Sequence, residues 1–119
     1  LVPEWQRPET IIVHEPWWTA TARRADIVVP ATTPLERDDI GASAKDRYLT
    51  AMKRAIAPVG AARDDYSTFA ELADRFGVFE EFTEGRSSWQ WLRHIYNEAK
   101  GNSANRNQDW PHWPGFEDF

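Results

Sequence analysis

Thr10-Ile-Ile-Val-His14, then Glu15-Pro16, Trp17-Trp-Thr-Ala-Thr-Ala-Arg-Arg24 and Ala25-Asp-Ile-Val-Val-Pro30 follow one another without a break. The first and last runs are short, β-branched and almost wholly apolar, the pattern of buried parallel strands. Pro16 and Pro30 stop each run. Ala and Arg favour helix between them, and Thr19 is a plausible cap, so residues 17–24 predict a short helix. Strand, helix, strand over so few residues is a compact βαβ unit, which builds a parallel sheet.

Upstream, Pro3 and Pro8 predict an extended lead-in over residues 1–10. Downstream, Ala31 to Asp46 is rich in turn formers and reads as an irregular loop. In an α/β fold such a loop lies beyond the carboxyl end of a strand, where ligands bind. Arg47 to Pro58 fits both periods: Leu49, Met52 and Ile56 have helical spacing, while Tyr48, Thr50 and Met52 alternate. Propensity leans to helix there. Asp65 can cap a helix carrying Tyr66, Phe69, Leu72, Ala73 and Phe76, with Gly77 as its stop. Ser87 with Gln90 forms a capping-box pattern ahead of Trp91, Leu92, Ile95, Tyr96 and Ala99, and Gly101 is the expected end. Residues 1–100 thus form an α/β segment. Residues 101–119 are a polar linker and an aromatic–proline tail.

The 119 residues give room for one core. Fourteen Lys and Arg against nineteen Asp and Glu leave a net charge of −5, which argues against a nucleic-acid surface. Cysteine is absent, so disulfides, cysteine-ligated metals and thiol nucleophiles are excluded within these residues. The apolar runs are too short to span a bilayer. Seven tryptophans exceed what so small a core needs, so some should face a partner, a ligand or further chain. Leu1 in place of Met, and an end on Phe119, read as a piece of something longer.

His14, His94 and His112 lack metal-ligand spacing, and His94 reads as structural. Glu36, Asp38 and Asp39 flank Arg37. A carboxylate there can accept the two N–H donors of a guanine edge, or it can cap the loop and pair with arginine. The residues alone favour the second reading, and for Asp64-Asp65 helix capping is the stronger alternative. Trp17-Trp18 can stack on a flat ligand or fill an interface, and local sequence does not choose. Glycine-rich phosphate loops and nucleophile elbows are missing.

Residues 17–41 (W-W-T-A-T-A-R-R-A-D-I-V-V-P-A-T-T-P-L-E-R-D-D-I-G), 51–66 (A-M-K-R-A-I-A-P-V-G-A-A-R-D-D-Y), 82–86 (F-T-E-G-R) and 91–96 (W-L-R-H-I-Y) carry a specific likeness, as does the tail P-x-F-E-D-F. The chain resembles the molybdopterin-dependent oxidoreductases of the dimethyl sulfoxide reductase family. It is nearest the biotin sulfoxide, trimethylamine N-oxide and dimethyl sulfoxide reductase subgroup. The resemblance implies an internal fragment of a dinucleotide-fold-like α/β domain, with short parallel strands flanked by helices. It implies a parent enzyme that reduces a sulfoxide or N-oxide by oxygen-atom transfer. That enzyme would hold molybdenum with two molybdopterin guanine dinucleotides, and this segment would pack on one guanosine end. Cofactor binding then falls to Glu15, Trp17, Trp18 and Thr19 after the first strand, to Asp39 in E-R-x-D and to Asp65 in A-R-x-D-Y. Trp17 departs from a position that is often polar, and it can stack but not accept a hydrogen bond. No catalytic residue and no metal ligand is expected in the segment, which alone should be inactive. Its partners would be the rest of the parent chain and the cofactor, in the cytoplasm or the periplasm. The alternative is a free-standing α/β interaction or nucleotide-binding module without activity.

Overall fold

The computed structural model describes residues 2–5, 7–43, 48–105 and 113–119. A helical turn, α1 (Val2–Trp5), stands where an extended lead-in was expected. β1 (Ile12–Glu15) and β2 (Ile27–Pro30) then pair in parallel, Val13 opposite Val28 and His14 opposite Val29. Asp26 reinforces the pair by accepting the Ile11 N–H at 2.9 Å. The fold class is mixed α/β, as the sequence predicts.

The connection between these strands is not the predicted helix. Only a 3-10 turn, Ala22–Arg24, forms. Local polar groups compete for the backbone. The Thr19 N–H donates to the Trp17 carbonyl at 2.9 Å, and the Arg23 guanidinium takes the Trp18 carbonyl. Thr19 still acts as a cap does, its hydroxyl accepting the Ala22 N–H at 3.2 Å. The strands are also less buried than their composition predicts, since Ile12 and Ile27 are exposed.

Residues 31–58 depart furthest from expectation. Pro34–Glu36 forms a 3-10 turn closed by a Thr33–Glu36 capping box. β3 (Asp39–Ala42) and β4 (Leu49–Met52) form an antiparallel pair, with Gly41 opposite Thr50. The alternating period of residues 48–52 therefore prevails over helix propensity, because a distant strand supplies the partners. Gly41 permits the approach: a Cβ there would lie 3.0 Å from Met52 Sδ. The chain then returns to the first sheet. Arg63 donates its N–H to the Pro30 carbonyl and accepts from Thr32 N–H, in a bridge parallel to Ala31.

α2 (Asp65–Arg75) forms as predicted, but Asp64, not Asp65, is its N-cap, accepting from the Ser67 N–H at 2.8 Å and the Ser67 hydroxyl at 2.6 Å. Gly77, at φ +74°, closes it, and the Val78 N–H reaches back to the Ala73 carbonyl. A short α3 (Phe79–Thr83) follows that the sequence did not announce. α4 (Ser88–Asn105) opens with the predicted box: Gln90 Oε1 accepts the Ser87 N–H, and Ser87 Oγ accepts the Gln90 N–H. It runs past Gly101, where a linker was expected; residues 106–109 of that linker, with Trp110 and His112, lie outside the described residues. The tail folds back on α4. Tyr96 is almost fully buried against Trp113, Phe116 and Phe119, and its hydroxyl donates to the Pro114 carbonyl at 3.0 Å. Lys100 binds the Trp113 and Pro114 carbonyls. Among the described residues no helix is long and apolar enough to cross a membrane.

Candidate functional site

An open cleft of about 660 Å³ lies where the loop after β2, the start of α2 and the first turns of α4 meet. Its size is within the range of small-molecule sites. Asp39 and Asp65, far apart in sequence, both line it.

The acidic loop divides its work. Glu36 is only 5% exposed, and its carboxylate accepts from the Thr33 N–H, the Thr33 hydroxyl and, at 2.6 Å, the Val59 N–H. The Thr33 N–H and hydroxyl, with the Val59 N–H, hold this carboxyl below the usual range, outweighing its burial. Asp38 accepts the Arg54 N–H at 2.8 Å. Loop capping is therefore what these two residues do. Asp39 is different: one oxygen takes Arg37 Nη2 at 3.0 Å, the other takes the Ile40 N–H at 2.8 Å, and the side chain stays partly open to the cleft. Arg37 also donates to the Thr32 carbonyl, so the ion pair is anchored to the backbone after β2.

Asp65 stands in the first turn of α2 with its side chain 68% exposed. One oxygen accepts from His14 Nδ1 at 2.7 Å. Its neighbour Asp64 is committed to capping. Burial pushes the Asp64 carboxyl up, but the Ser67 hydroxyl and N–H, its own N–H and the Arg37 charge bring it below its ordinary value.

The remaining predicted residues gather elsewhere. Glu15 accepts from the Thr19 hydroxyl at 3.5 Å, and Trp17 and Trp18 are 67% and 69% exposed. None of the four lines the cleft. The link between their strand end and the cleft is His14, which precedes Glu15 and binds Asp65.

Two groups escaped the sequence reading. Thr32 lines the cleft at 6% exposure, and its hydroxyl is buried without a partner in the structure. A buried hydroxyl without a partner costs free energy. Nothing in the spacing of Ala31-Thr32-Thr33 distinguishes that threonine from its neighbours. Of the arginines lining the cleft, Arg37 was read only as an ion-pair partner, and Arg54 and Arg63 were masked by the net negative charge. Carboxylates that accept N–H donors and guanidiniums that donate suit a polar ligand carrying both donors and acceptors. Among the described residues no three His, Asp or Glu side chains are grouped to hold a metal.

The family model for molybdopterin oxidoreductase matches residues 1–75. The chain is 47% identical over 115 residues to a biotin sulfoxide reductase of Cereibacter sphaeroides, covering 97% of this chain and 15% of that protein. It is 44% identical over 121 residues to a dimethyl sulfoxide/trimethylamine N-oxide reductase of the same organism, covering 100% of this chain and 14% of that one. It is 39% identical over 121 residues to trimethylamine-N-oxide reductase 1 of Escherichia coli O157:H7, at 100% and 14% coverage. The chain thus spans about 15% of the length of the curated relatives it matches.

Proposed function

The chain belongs to the molybdopterin oxidoreductase family, and from that membership we propose that it is the part of a larger sulfoxide or N-oxide reductase that holds the guanosine end of a molybdopterin guanine dinucleotide. Membership implies a molybdenum–pterin cofactor. When bound, the cofactor supplies the two-electron chemistry of oxygen-atom transfer, and the protein supplies binding and orientation.

The observation that carries the reading is the cleft shared by Asp39 and Asp65. Each carboxylate can accept N–H donors from a guanine edge, which offers two side by side. Arg37 holds Asp39 in place, so that carboxylate loses little freedom on binding. Glu15, Trp17, Trp18 and Thr19 would meet the nucleotide from the end of β1, with the two indoles as apolar platforms. The segment adds no catalytic group to this scheme.

The test is Asp39→Ala and Asp65→Ala in the full-length enzyme, with molybdenum and guanine nucleotide measured per purified chain beside the melting temperature. Loss of a charge-assisted hydrogen bond should weaken retention roughly tenfold or more. Full occupancy with only a lower melting temperature would overturn the assignment for that residue.

A further inference from the structure

We propose that His14 is a positioning residue for Asp65: it holds that carboxylate in the orientation that accepts the guanine edge, a role that rests on the guanosine reading above. His14 is held in β1 opposite Val29, so its ring projects from a paired strand. The ring is 12% exposed, whereas the Asp65 side chain it touches is 68% exposed. An ionised carboxylate only accepts, so Nδ1 carries the proton and donates across 2.7 Å to Oδ1. Nε2 is buried and has no partner in the structure. A buried imidazole with one idle nitrogen costs free energy that a valine or leucine in the same strand would not. The bond to Asp65 offsets that cost, and it is what an apolar residue could not provide.

The consequence lies at the carboxylate. On the open first turn of a helix an aspartate samples several rotamers, and freezing one on binding costs entropy. A single bond from a rigid strand selects one rotamer beforehand and leaves Oδ2 and the second lone pair of Oδ1 to the ligand.

The experiment uses the full-length enzyme and reads guanine nucleotide retained per chain after dilution, with melting temperature as a separate measurement. His14→Leu should retain about three- to tenfold less nucleotide, the loss of one hydrogen bond. His14→Asn presents an amide N–H near the Nδ1 position and should restore most of it. His14→Gln presents its amide near Nε2 and should not. In an Asp65→Ala background the three substitutions should change nothing further. Equal loss in the Asn and Leu variants, or an undiminished His14→Leu effect without Asp65, overturns the proposal. If His14→Leu does not fold, the Asn and Gln pair still decides it. Loss in Asp65→Ala with full content in His14→Leu overturns the positioning role alone. Full content in Asp65→Ala overturns Asp65 as a guanosine contact and this role together.

Discussion

Between Ile11 and Arg63 several of the bonds that shape the chain join distant residues, whereas from Asp64 to Asn105 the bonds that start and support the helices stay within a turn. In the first region Asp26 holds Ile11, Asp38 holds Arg54, Glu36 holds Val59, and Arg63 completes the strand edge at Pro30. In the second, Asp64 caps with Ser67, Ser87 with Gln90, and Glu71 binds Arg75 one turn away. The residues facing the cleft from the first region sit on loops and short strands, and those from the second on helix starts. Loops placed by long-range bonds can set functional groups where no regular element would, but each such bond is a single point of failure. Locally bonded helices distribute the same risk over many small terms.

That contrast can be tested by breaking one bond of each kind. The largest effect should come from Glu36→Ala, which orphans the Thr33 and Val59 N–H groups at once. Hydrogen exchange at Val59 should quicken by tenfold or more, on the order expected when a buried acceptor is lost, while amides of α4 barely change. If exchange rose equally in α4, the two regions would be one cooperative unit. Acid should act on the same bond. The Glu36 carboxyl is held below its ordinary 4.5. Its contribution is therefore complete above pH 4.5 and is lost as the pH falls through its lower folded value. A titration followed by exchange should loosen the Thr33 and Val59 amides in that window, and an unchanged profile would contradict the role given to Glu36.

Asp64→Ala comes next. A lost N-cap costs about 1 kcal/mol, read as a lower melting temperature and faster exchange in the first turn of α2. Asp64→Asn should recover most of that loss. The smallest effect belongs to Ser87→Ala, near the lower end of the roughly 0.5–2 kcal/mol range for caps, because the Gln90 bond to the Ser87 N–H survives. A larger effect for Ser87→Ala than for Glu36→Ala would reverse the comparison.

Legibility in the sequence follows the same division. Ser87 and Gln90 sit three residues apart, and α4 begins where that spacing says. β1 and β2 were readable because a short apolar run between prolines has few other uses. Residues 49–52 were not, since their strand exists only through Asp39–Ala42, and single-sequence propensity cannot see across a loop. The predicted helix over 17–24 failed for a related reason: the Arg23 and Thr19 side chains capture the backbone groups a helix would need. Gly101 did not stop α4, because a glycine inside a helix weakens it without ending it. In the site, residue type alone pointed Asp39 and Asp65 to capping, and only the resemblance in E-R-x-D and A-R-x-D-Y set them apart. His14 and Thr32 were not set apart, because what singles them out is burial beside a particular partner or a cavity wall.

Gly77, which closes α2, gives the region of local bonds an unusual kind of specificity. At φ +74° the backbone is left-handed, and a Cβ built there would meet nothing within 4 Å. Crowding therefore plays no part in excluding other residues. What excludes them is the handedness of natural amino acids, so a chemically synthesised chain with D-alanine at position 77 would keep the same turn, while L-alanine would strain it. Here, as at Gly60 with φ +60° and equally open space, the fold selects for chirality while a Cβ would meet no obstacle.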